Sequence, residues 1–429
     1  MGHAPRTLTR RSMVLALGAG PTTVMLTACR QQAPRTEPQV QGDVTAWVFP
    51  LTDDDKSVFW DSLMARFTQE HPRINPIVEV LPWSGRLEKM LTAVAAGVPP
   101  DIAYLNRDFV PRFADQNAIT SLETVLTAEL QKDVRKEVWE QSKYRGKIWN
   151  SPILLSLYIP FVNLDLTGQV GLDPNKLPVT WQEYEELAAR LTSPGEQWGI
   201  SHPWSTETAT GTMYIWIWQA GGKLIEEPDG KKALFDSQEG IDALDYVKRL
   251  FDRGYIPEAD KTGQGVGFGS GKIGILFWGS NPTPVTLQKD APTLRFKAGN
   301  VPQGKKRATY GTLAGYALFS QAPNRPAAER WIRFMARADN AAELLKPTGY
   351  MPPMASLKAE QLWPGDEHRA KMLQEMSYVN LDPQHPFSRD MSRILAEEGQ
   401  LALLDKKPVK QALADAAKRL DDTVARGSQ

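Results

Sequence analysis

Apolar runs and amphipathic segments alternate along the first part of the chain. Residues 44–49, 77–81 and 101–105 are short and rich in apolar side chains, which is typical of buried strands. Between these runs, apolar residues recur at helical spacing over 59–67 and 87–94. The order strand, helix, strand, helix, strand predicts a parallel sheet with helices packed on its faces, and hence an α/β fold.

A second set of elements follows in the rest of the chain. Thr180 and Glu183 are spaced as in a capping box, which predicts that a helix begins there. Residues 273–278 and 313–319 have the apolar pattern of further strands. The last stretch, 389–426, is rich in alanine, leucine and lysine and has a helical pattern.

The N-terminus has the features of an export signal. Arg10 and Arg11 form the arginine pair of a twin-arginine signal, and an apolar stretch follows over residues 13–26. Glycine and proline interrupt this stretch, and it is shorter than the roughly 20 apolar residues that span a bilayer. We therefore expect residues 1–28 to be a cleaved signal peptide and not a membrane helix.

The only cysteine, Cys29, comes directly after Leu26-Thr27-Ala28, and these four residues resemble a bacterial lipobox. The resemblance implies cleavage before Cys29 and lipidation of its sulfur. The mature chain is then expected to be anchored to the cell membrane outside the cytoplasm, in the periplasm or on the outer face. Residues 29–42 are polar and contain prolines, as a flexible tether does. The alternative is a buried structural cysteine behind an ordinary secretory signal.

Composition argues against several classes of function. Basic and acidic residues balance at 50 each among 429, whereas nucleic-acid-binding proteins concentrate positive charge, so no nucleic-acid partner is expected. One cysteine and five histidines without ligand spacing predict no metal site and no cofactor. In contrast, 13 tryptophans, 11 tyrosines and 14 phenylalanines offer many flat faces on which a ligand can stack.

The motifs of common enzyme sites are missing or misplaced in this sequence. Residues 263–274 are rich in glycine, and 269–274 match the glycine pattern of a dinucleotide site, but this segment precedes a predicted strand instead of following one. A flexible surface loop is therefore the preferred interpretation. The sequence has neither a Gly-x-Ser-x-Gly nor a His-Glu-x-x-His motif. A glycosidase with two paired carboxylates stays open as an alternative, because acidic residues are abundant.

Several segments, in this order along the chain, resemble the family 1 extracellular solute-binding proteins, the capture subunits of carbohydrate-type ABC importers. The resemblance extends from about Val44 to residue 360. The segments that carry it are 67–80, 95–102 (AAGVPPDI), 146–163, 178–183 (PVTWQE), 221–222, 271–279 and 349–352 (GYMP). One difference is Asn300-Val301-Pro302-Gln303-Gly304, where the family often has Pro-Leu-Pro.

The resemblance implies an α/β fold of the type II periplasmic-binding class. Two lobes, each formed from discontinuous segments, are joined by hinge strands, and the ligand lies in the cleft between them. In this numbering one lobe comprises 43–155 plus 300–338 and the other comprises 156–299 plus 339–429. The family further implies a monomeric binding protein and not an enzyme, which closes on a sugar or polyol and delivers it to the permease of an ABC transporter.

Three alternatives remain open at this point. A glycerol-phosphate ligand would require basic side chains at the cleft, and Arg86 and Arg107 are the nearby ones. The others are an anchored carbohydrate-active enzyme and an interaction protein that uses the fold without binding a solute.

Candidate binding residues are aromatic and polar side chains at or just after the ends of strands. A sugar presents hydroxyl groups for hydrogen bonds and C–H faces for aromatic rings, so its pocket requires both kinds of side chain. Trp47 could equally pack in the core, and Asp108 could serve as a helix cap. The candidates are Trp47, Phe49, Trp83, Ser84, Asn106, Asp108, Trp204, Tyr214, Trp278, Gly279, Tyr310, Thr312 and Tyr350.

Overall fold

A computed structural model describes residues 1–2, 40–51, 58–204, 213–264 and 266–427. The chain divides into two units, Met1–Gln39 and Val40–Gln429, and the strands and helices that are described all belong to the second. The predicted signal peptide, apart from residues 1 and 2, lies outside the described residues. The same is true of the predicted lipidation site Cys29 and of most of the predicted tether.

Strands and helices alternate through the second unit. In chain order, the strands of the described ranges are β1 (Gly42–Val48), β2 (Ile74–Val80), β3 (Ile102–Asn106), β4 (Ile119–Thr120), β5 (Lys143–Tyr144), β6 (Lys147–Ile148), β7 (Ser151–Asn163), β8 (Trp198–Ser201), β9 (Ile273–Ser280), β10 (Phe296–Ala298), β11 (Thr309–Phe319) and β12 (Val379–Leu381).

The helices vary from one turn to five. In chain order, those of the described ranges are α1 (Val58–Glu70), α2 (Arg86–Ala95), α3 (Val110–Asp115), α4 (Ala128–Asp133), α5 (Lys136–Gln141), α6 (Leu164–Gln169), α7 (Trp181–Leu191), α8 (Tyr214–Gln219), α9 (Gln238–Asp252), α10 (Thr283–Asp290), α11 (Arg325–Met335), α12 (Ala338–Thr348), α13 (Ala359–Leu362), α14 (Glu367–Glu375), α15 (Ser388–Leu403) and α16 (Val409–Gly427). Short 3₁₀ helices lie at Glu258–Thr262, Phe268–Ser270 and Met376–Tyr378.

One mixed sheet organises the unit, with the strand order β2-β1-β3-β11-β7-β9-β8. The predicted parallel arrangement of the first three strands is confirmed, since β1 pairs in parallel with both β2 and β3. The central strand β7 pairs with β11 through its first half and with β9 through its second half, both antiparallel. Strand β7 therefore passes from one side of the molecule to the other.

Two large hydrophobic clusters lie on either side of this crossing. The first cluster contains buried residues between Val44 and Leu154 and again between Ala314 and Leu362. The second contains buried residues between Leu166 and Tyr310 and again in α15 and α16. These two clusters are the cores of two lobes.

The division between the lobes differs from the predicted one at its second crossing. Helix α12 was expected in the second lobe, but its residues Ala341, Leu344 and Leu345 belong to the first cluster. Its polar face also contacts the first lobe, because Arg66 of α1 forms ion pairs of 2.8 Å with Asp339 and Glu343. Packing of α12 against α1 therefore extends the first lobe beyond residue 338.

Local signals near the helix ends agree with the structure in one place and differ in another. The capping box that begins α7 is confirmed: the Thr180 hydroxyl accepts from the amide of Glu183, and the Glu183 carboxylate accepts from the amide of Thr180. The stretch 389–426 is helical, as predicted, but an interruption that was not predicted divides it into two helices. Asp405, with φ of 56°, and Pro408 separate α15 from α16. No helix in the described ranges combines the length and the apolar character that a membrane crossing requires.

Candidate functional site

A cavity of about 940 Å³ opens between the two hydrophobic clusters, and residues from both lobes line it. The first wall consists of Trp83, Arg86, Tyr104 and Asn106. Tyr104 and Asn106 lie at the carboxyl end of β3 and Trp83 follows β2, so parallel strands bring these side chains to one edge of the sheet. The ring of Trp83 stacks on buried Phe49 with centroids 5.2 Å apart and an angle of 24° between the planes.

Arg86 is the cationic group of the first wall. Its guanidinium carbon lies over the rings of Trp83 and Phe109, 4.7 Å from each centroid. The side chain is buried, and its Nε and Nη1 atoms have no hydrogen-bond partner among the described residues. Burial, and then repulsion from Arg389, lowers the pKa of Arg86 to about 10. Arg86 is therefore still cationic at neutral pH.

The second wall is aromatic and consists of Tyr158, Trp278 and Tyr310. These residues come from the neighbouring strands β7, β9 and β11, so their rings pack side by side. Trp278 stacks on Tyr310 with centroids 5.7 Å apart and an angle of 18°, and it lies 4.4 Å from Tyr158. The three rings therefore give this side of the cavity an aromatic lining.

Tyr310 is connected to a buried carboxyl group behind the wall. Its hydroxyl donates to Oδ1 of Asp382 at 2.5 Å. Burial, followed by repulsion from Asp108, raises the pKa of Asp382 to about 7. Burial, and then the Asp382 charge, also raises the pKa of Tyr310. The hydroxyl of Tyr310 therefore stays protonated and has a partner within the protein.

Small polar groups lie between the walls. Ser156 and Thr312 face each other across β7 and β11, and the hydroxyl of Ser156 accepts from the amide of Thr312 at 3.1 Å. The Oδ1 atom of Asn106 is buried and has no hydrogen-bond partner among the described residues. Arg389 also lines the cavity and lies 3.5 Å from Asp108. Hydroxyl, amide and guanidinium groups are thus available to a polar ligand.

Six of the predicted binding residues lie together in this lining: Trp83, Asn106, Trp278, Tyr310, Thr312 and Tyr350. Three others are buried behind the lining. Phe49 supports Trp83, and Asp108 faces Arg389. Tyr214 donates from its hydroxyl to the carbonyl of Ser388 at 3.2 Å.

Two predicted residues of the first lobe lie outside the cavity lining. Trp47 is half-buried and packs against the first cluster, and Nζ of Lys89 lies 4.7 Å from its ring centroid. Because side chains alternate along a strand, Trp47 lies on the face of β1 opposite to that of the buried Ala46 and Val48. Ser84 is exposed in the turn before α2.

Two predicted residues of the second lobe are packed in its interior. Trp204 is fully buried and donates from Nε1 to the carbonyl of Ala396 at 2.8 Å. Its ring fits against Gly399, where an added Cβ would lie 2.5 Å from the indole. Gly279 is covered by the ring of Phe161, 2.1 Å from where a Cβ would stand. Close packing places both residues in the core and not in the cleft.

Other lining residues were not among the candidates. Tyr104 and Tyr158 lie inside strands, where sequence alone does not distinguish a ring facing the cavity from one in the core. The segment that contains Gly267, Phe268 and Gly269 was predicted to be a flexible surface loop, but it lines the cavity. Arg107, named for a phosphate ligand, is not in the lining and donates from Nε to the carbonyl of Gln141 at 3.0 Å.

The acidic residues and histidines of the described ranges do not form a group of three or more that could hold a metal ion. Among the described residues that line the cavity, none is a carboxylate. The arrangement therefore offers stacking, hydrogen bonding and positive charge, which are means of holding a molecule.

Comparison with known proteins gives a family. The sequence model of the family described as bacterial extracellular solute-binding protein matches residues 62–371. A Brucella abortus protein, named only as a binding protein, is 23% identical over 375 residues, which are 85% of this chain and 89% of that protein. The sn-glycerol-3-phosphate-binding periplasmic protein UgpB of Escherichia coli K12 is 25% identical over 326 residues, 68% of this chain and 70% of its own length. An uncharacterised lipoprotein of Streptomyces antibioticus is 21% identical over 356 residues, 79% of this chain and 77% of that protein.

Solved structures of similar fold cover almost the whole described unit. The ABC substrate-binding protein Lmo0181 from Listeria monocytogenes, in complex with cycloalternan, has a TM-score of 0.79 at 21% identity and covers 90% of this chain and 99% of its own. A solute-binding protein from Thermotoga lettingae, bound with α-D-tagatose, has a TM-score of 0.78 at 20% identity, with coverage of 89% and 99%. Both likenesses support the predicted two-lobe α/β fold. The family model covers well over half of the sequence, and this chain belongs to the bacterial extracellular solute-binding proteins.

Proposed function

We propose that this protein captures a carbohydrate in the cleft between its lobes and delivers it to the permease of an ABC importer. The observation that carries the proposal is the pair of aromatic walls on opposite lobes, with Trp83 on the first and Trp278 on the second. Indole rings match the C–H faces of sugar rings, and the polar groups of Asn106, Ser156 and Thr312 match hydroxyl groups. The carbohydrate ligands named for the two solved structures support the same class.

Capture requires the two lobes to approach each other. The crossing strands β7 and β11 are the proposed hinge. Strand β7 pairs with β11 and then with β9, and β11 contributes Tyr310 to the second cluster and Ala314 to the first. Closure would bring the walls onto opposite faces of one ligand and exclude water. A monomer is sufficient for this mechanism, because both walls come from one chain.

A thermal-shift screen of the purified chain, followed by calorimetric titration, tests the ligand class. The screen uses mono-, di- and oligosaccharides, with amino acids and short peptides as the control class. A carbohydrate at one hundred times its Kd is expected to stabilise the folded protein by about 2.7 kcal/mol. If only a non-carbohydrate solute raises the melting temperature, the carbohydrate part of the proposal is wrong.

A glycerol phosphate is the second candidate ligand. It is favoured by one specific observation, the two arginines Arg86 and Arg389 in the lining, and by the similarity to UgpB. The same titration with sn-glycerol 3-phosphate decides between the two candidates. Binding of this compound with no binding of any sugar would replace the carbohydrate proposal.

The protein is proposed to bind its ligand without converting it. Glycoside hydrolysis by the usual route requires two carboxyl groups roughly 5–10 Å apart across the bond, and no carboxylate is among the described lining residues. Product analysis after prolonged incubation with an oligosaccharide that binds is the test. Recovery of unchanged oligosaccharide supports a receptor, whereas new products would favour the anchored enzyme.

Export and anchoring complete the proposal. Residues 1–28 are proposed as a twin-arginine signal and Cys29 as the lipid attachment site, which agrees with the similarity to a Streptomyces lipoprotein. Radiolabelled palmitate should be incorporated into the wild-type chain and lost in Cys29→Ser. Equal labelling of the variant would refute anchoring through this residue.

A further inference from the structure

The described residues that line the cavity carry charge of one sign only. Among the described residues that line it, Arg86 and Arg389 carry charge at neutral pH, and no aspartate, glutamate or lysine does so. The chain as a whole has equal numbers of basic and acidic residues, so this local excess of positive charge is not a consequence of composition.

The two arginines differ in how their charge is balanced. Arg389 lies 3.5 Å from Oδ2 of Asp108. Arg86 has no ion pair and no hydrogen-bond partner among the described residues, and its Nε and Nη1 are buried. Asp108, which is already paired with Arg389, acts on the charge of Arg86 only at longer range. Asp382, the other carboxyl group of this region, is hydrogen-bonded to Tyr310 and has a pKa of about 7, so it is only partly ionised at neutral pH. Positive charge is therefore in excess beside Arg86.

Burial without a partner is costly for a guanidinium group, so the position of Arg86 requires an explanation. Its side chain is 5% exposed, and its guanidinium lies over three rings, those of Phe49, Trp83 and Phe109, at 5.4, 4.7 and 4.7 Å. Aromatic faces stabilise the cation and fix its plane, but they leave its N–H donors unused. The group is held ready for an acceptor that the described protein does not supply.

The start of α2 adds to the positive electrostatic potential beside Arg86. The helix begins at Arg86, and its N-cap is Gly85, whose conformation is left-handed and which supplies no side-chain cap. The positive end of the helix dipole therefore lies at the residue that lines the cavity. The only acidic residue of the first turn is Glu88, which is exposed.

We propose that Arg86 forms an anion subsite in the cleft and that the natural solute is a carbohydrate bearing a carboxylate or a phosphate ester. The acidic group would accept hydrogen bonds from the guanidinium, while the hydroxyl-bearing ring lies between Trp83 and Trp278. This inference rests on the proposed function, since it specifies which carbohydrates the same cleft selects.

The test compares matched neutral and acidic ligands on the purified full chain by calorimetric titration. The probes are D-glucose, D-glucuronate and D-glucose 6-phosphate, and the corresponding galactose set. We expect at least one acidic member to bind about tenfold or more tightly than its neutral partner, with a preference that weakens from 0.05 to 0.5 M NaCl. The carboxylate and phosphate members separate the two kinds of acid.

Variants at one helix then locate the effect. Arg86→Gln should remove the preference: the loss of affinity for the acidic ligand should exceed the loss for its neutral partner by about tenfold or more. Arg86→Lys keeps the charge without the planar fork and should retain part of the preference. Lys89→Gln is the matched control, because Lys89 lies on the same helix but contacts Trp47 outside the cavity; it should keep the full preference.

Each outcome bears on one level of the argument. Equal binding of neutral and acidic partners by the wild-type chain would overturn the anion subsite and leave the carbohydrate receptor intact. Equal loss of preference in Arg86→Gln and Lys89→Gln would also overturn it, because general electrostatics would then suffice. If no sugar of either kind binds, the proposed function fails and the subsite fails with it. Should Arg86→Gln not fold, the salt dependence and Arg86→Lys decide the matter.

Discussion

The two walls of the cleft satisfy their polar groups in different ways. In the second wall, the hydroxyl of Tyr310 has a partner inside the protein, Asp382. In the first wall, Arg86 lies against aromatic rings and its buried nitrogens have no hydrogen-bond partner among the described residues. The hydroxyl of Tyr310 in the second wall thus already has a hydrogen-bond partner, whereas Arg86 in the first wall has N–H donors that a ligand can still satisfy. Affinity for any sugar ring should depend mainly on the second wall, and selection among sugars on the first.

The largest effect is expected from Trp278→Ala. This change removes the ring that stacks on Tyr310 and packs 4.4 Å from Tyr158. Loss of a buried aromatic anchor costs at least about 2 kcal/mol, so affinity for every bound carbohydrate should fall by about thirtyfold or more. Calorimetric titration measures the loss. A loss confined to acidic sugars would contradict the division of roles between the walls.

The carboxyl group behind the second wall should influence stability through pH. Burial raises the pKa of Asp382 to about 7 in the folded protein, whereas an unfolded aspartate has a pKa near 3.9. Between these values the folded state binds the extra proton, so this group's contribution to stability is complete below about pH 4 and is lost as pH rises towards 7.

Asp382→Asn should remove that dependence while its amide oxygen still accepts from Tyr310. Relative to wild type, the variant should gain stability on the order of 2 kcal/mol from pH 4 to pH 7.5. Urea unfolding at a series of pH values gives the difference. If the free energies of unfolding of the two proteins change with pH in parallel, Asp382 is ionised in the folded state, and the description of the buried Tyr310–Asp382 pair is wrong.

Trp83→Ala tests the first wall with a smaller expected effect. The ring stacks on Phe49 and lies under the guanidinium of Arg86, so its removal exposes both. We expect about a tenfold loss of affinity, since one aromatic contact and part of the support for Arg86 are lost. Trp47→Ala is the matched control and should leave affinity unchanged, because Trp47 is outside the lining. Equal losses in the two variants would indicate a general effect of the first lobe.

The sequence was sufficient for those site residues that strand order determines. Trp83 and Asn106 follow parallel strands, and the carboxyl ends of such strands share one edge, so their position could be predicted. The capping box at Thr180 is equally local, because donor and acceptor are three residues apart. Strand order was not sufficient by itself, because it also selected Trp47, Ser84 and Asp108, which are not in the cavity lining.

Contacts between distant segments determine the remainder of the site. Trp204 follows a proline in an apparent loop, yet Gly399, nearly two hundred residues later, leaves room for its ring in the core. The sequence indicated Arg86 only as a basic residue near the cleft, because the rings that enclose it come from three separate segments, those after β1, β2 and β3. The spacing of residues in the sequence does not predict such contacts, because they depend on how separate helices and strands pack against each other.

The smallest effect is expected from Thr180→Ala. This variant tests whether substitutions in the walls reduce ligand affinity through lost contact in the cleft or through lower stability of a lobe. Thr180 caps α7 in the second lobe and is not among the residues that line the cavity. Loss of the cap should cost about 1 kcal/mol of unfolding free energy, measured by urea titration, because one amide at the helix start loses its acceptor. Thr180→Ser retains the hydroxyl and should restore most of this stability. Carbohydrate affinity should be the same in both variants as in wild type. If carbohydrate affinity fell together with stability in Thr180→Ala, a weakened second lobe alone would be enough to reduce binding. The loss of affinity in Trp278→Ala could then not be assigned to contact with the ligand, and the proposed difference between the two walls would be unsupported.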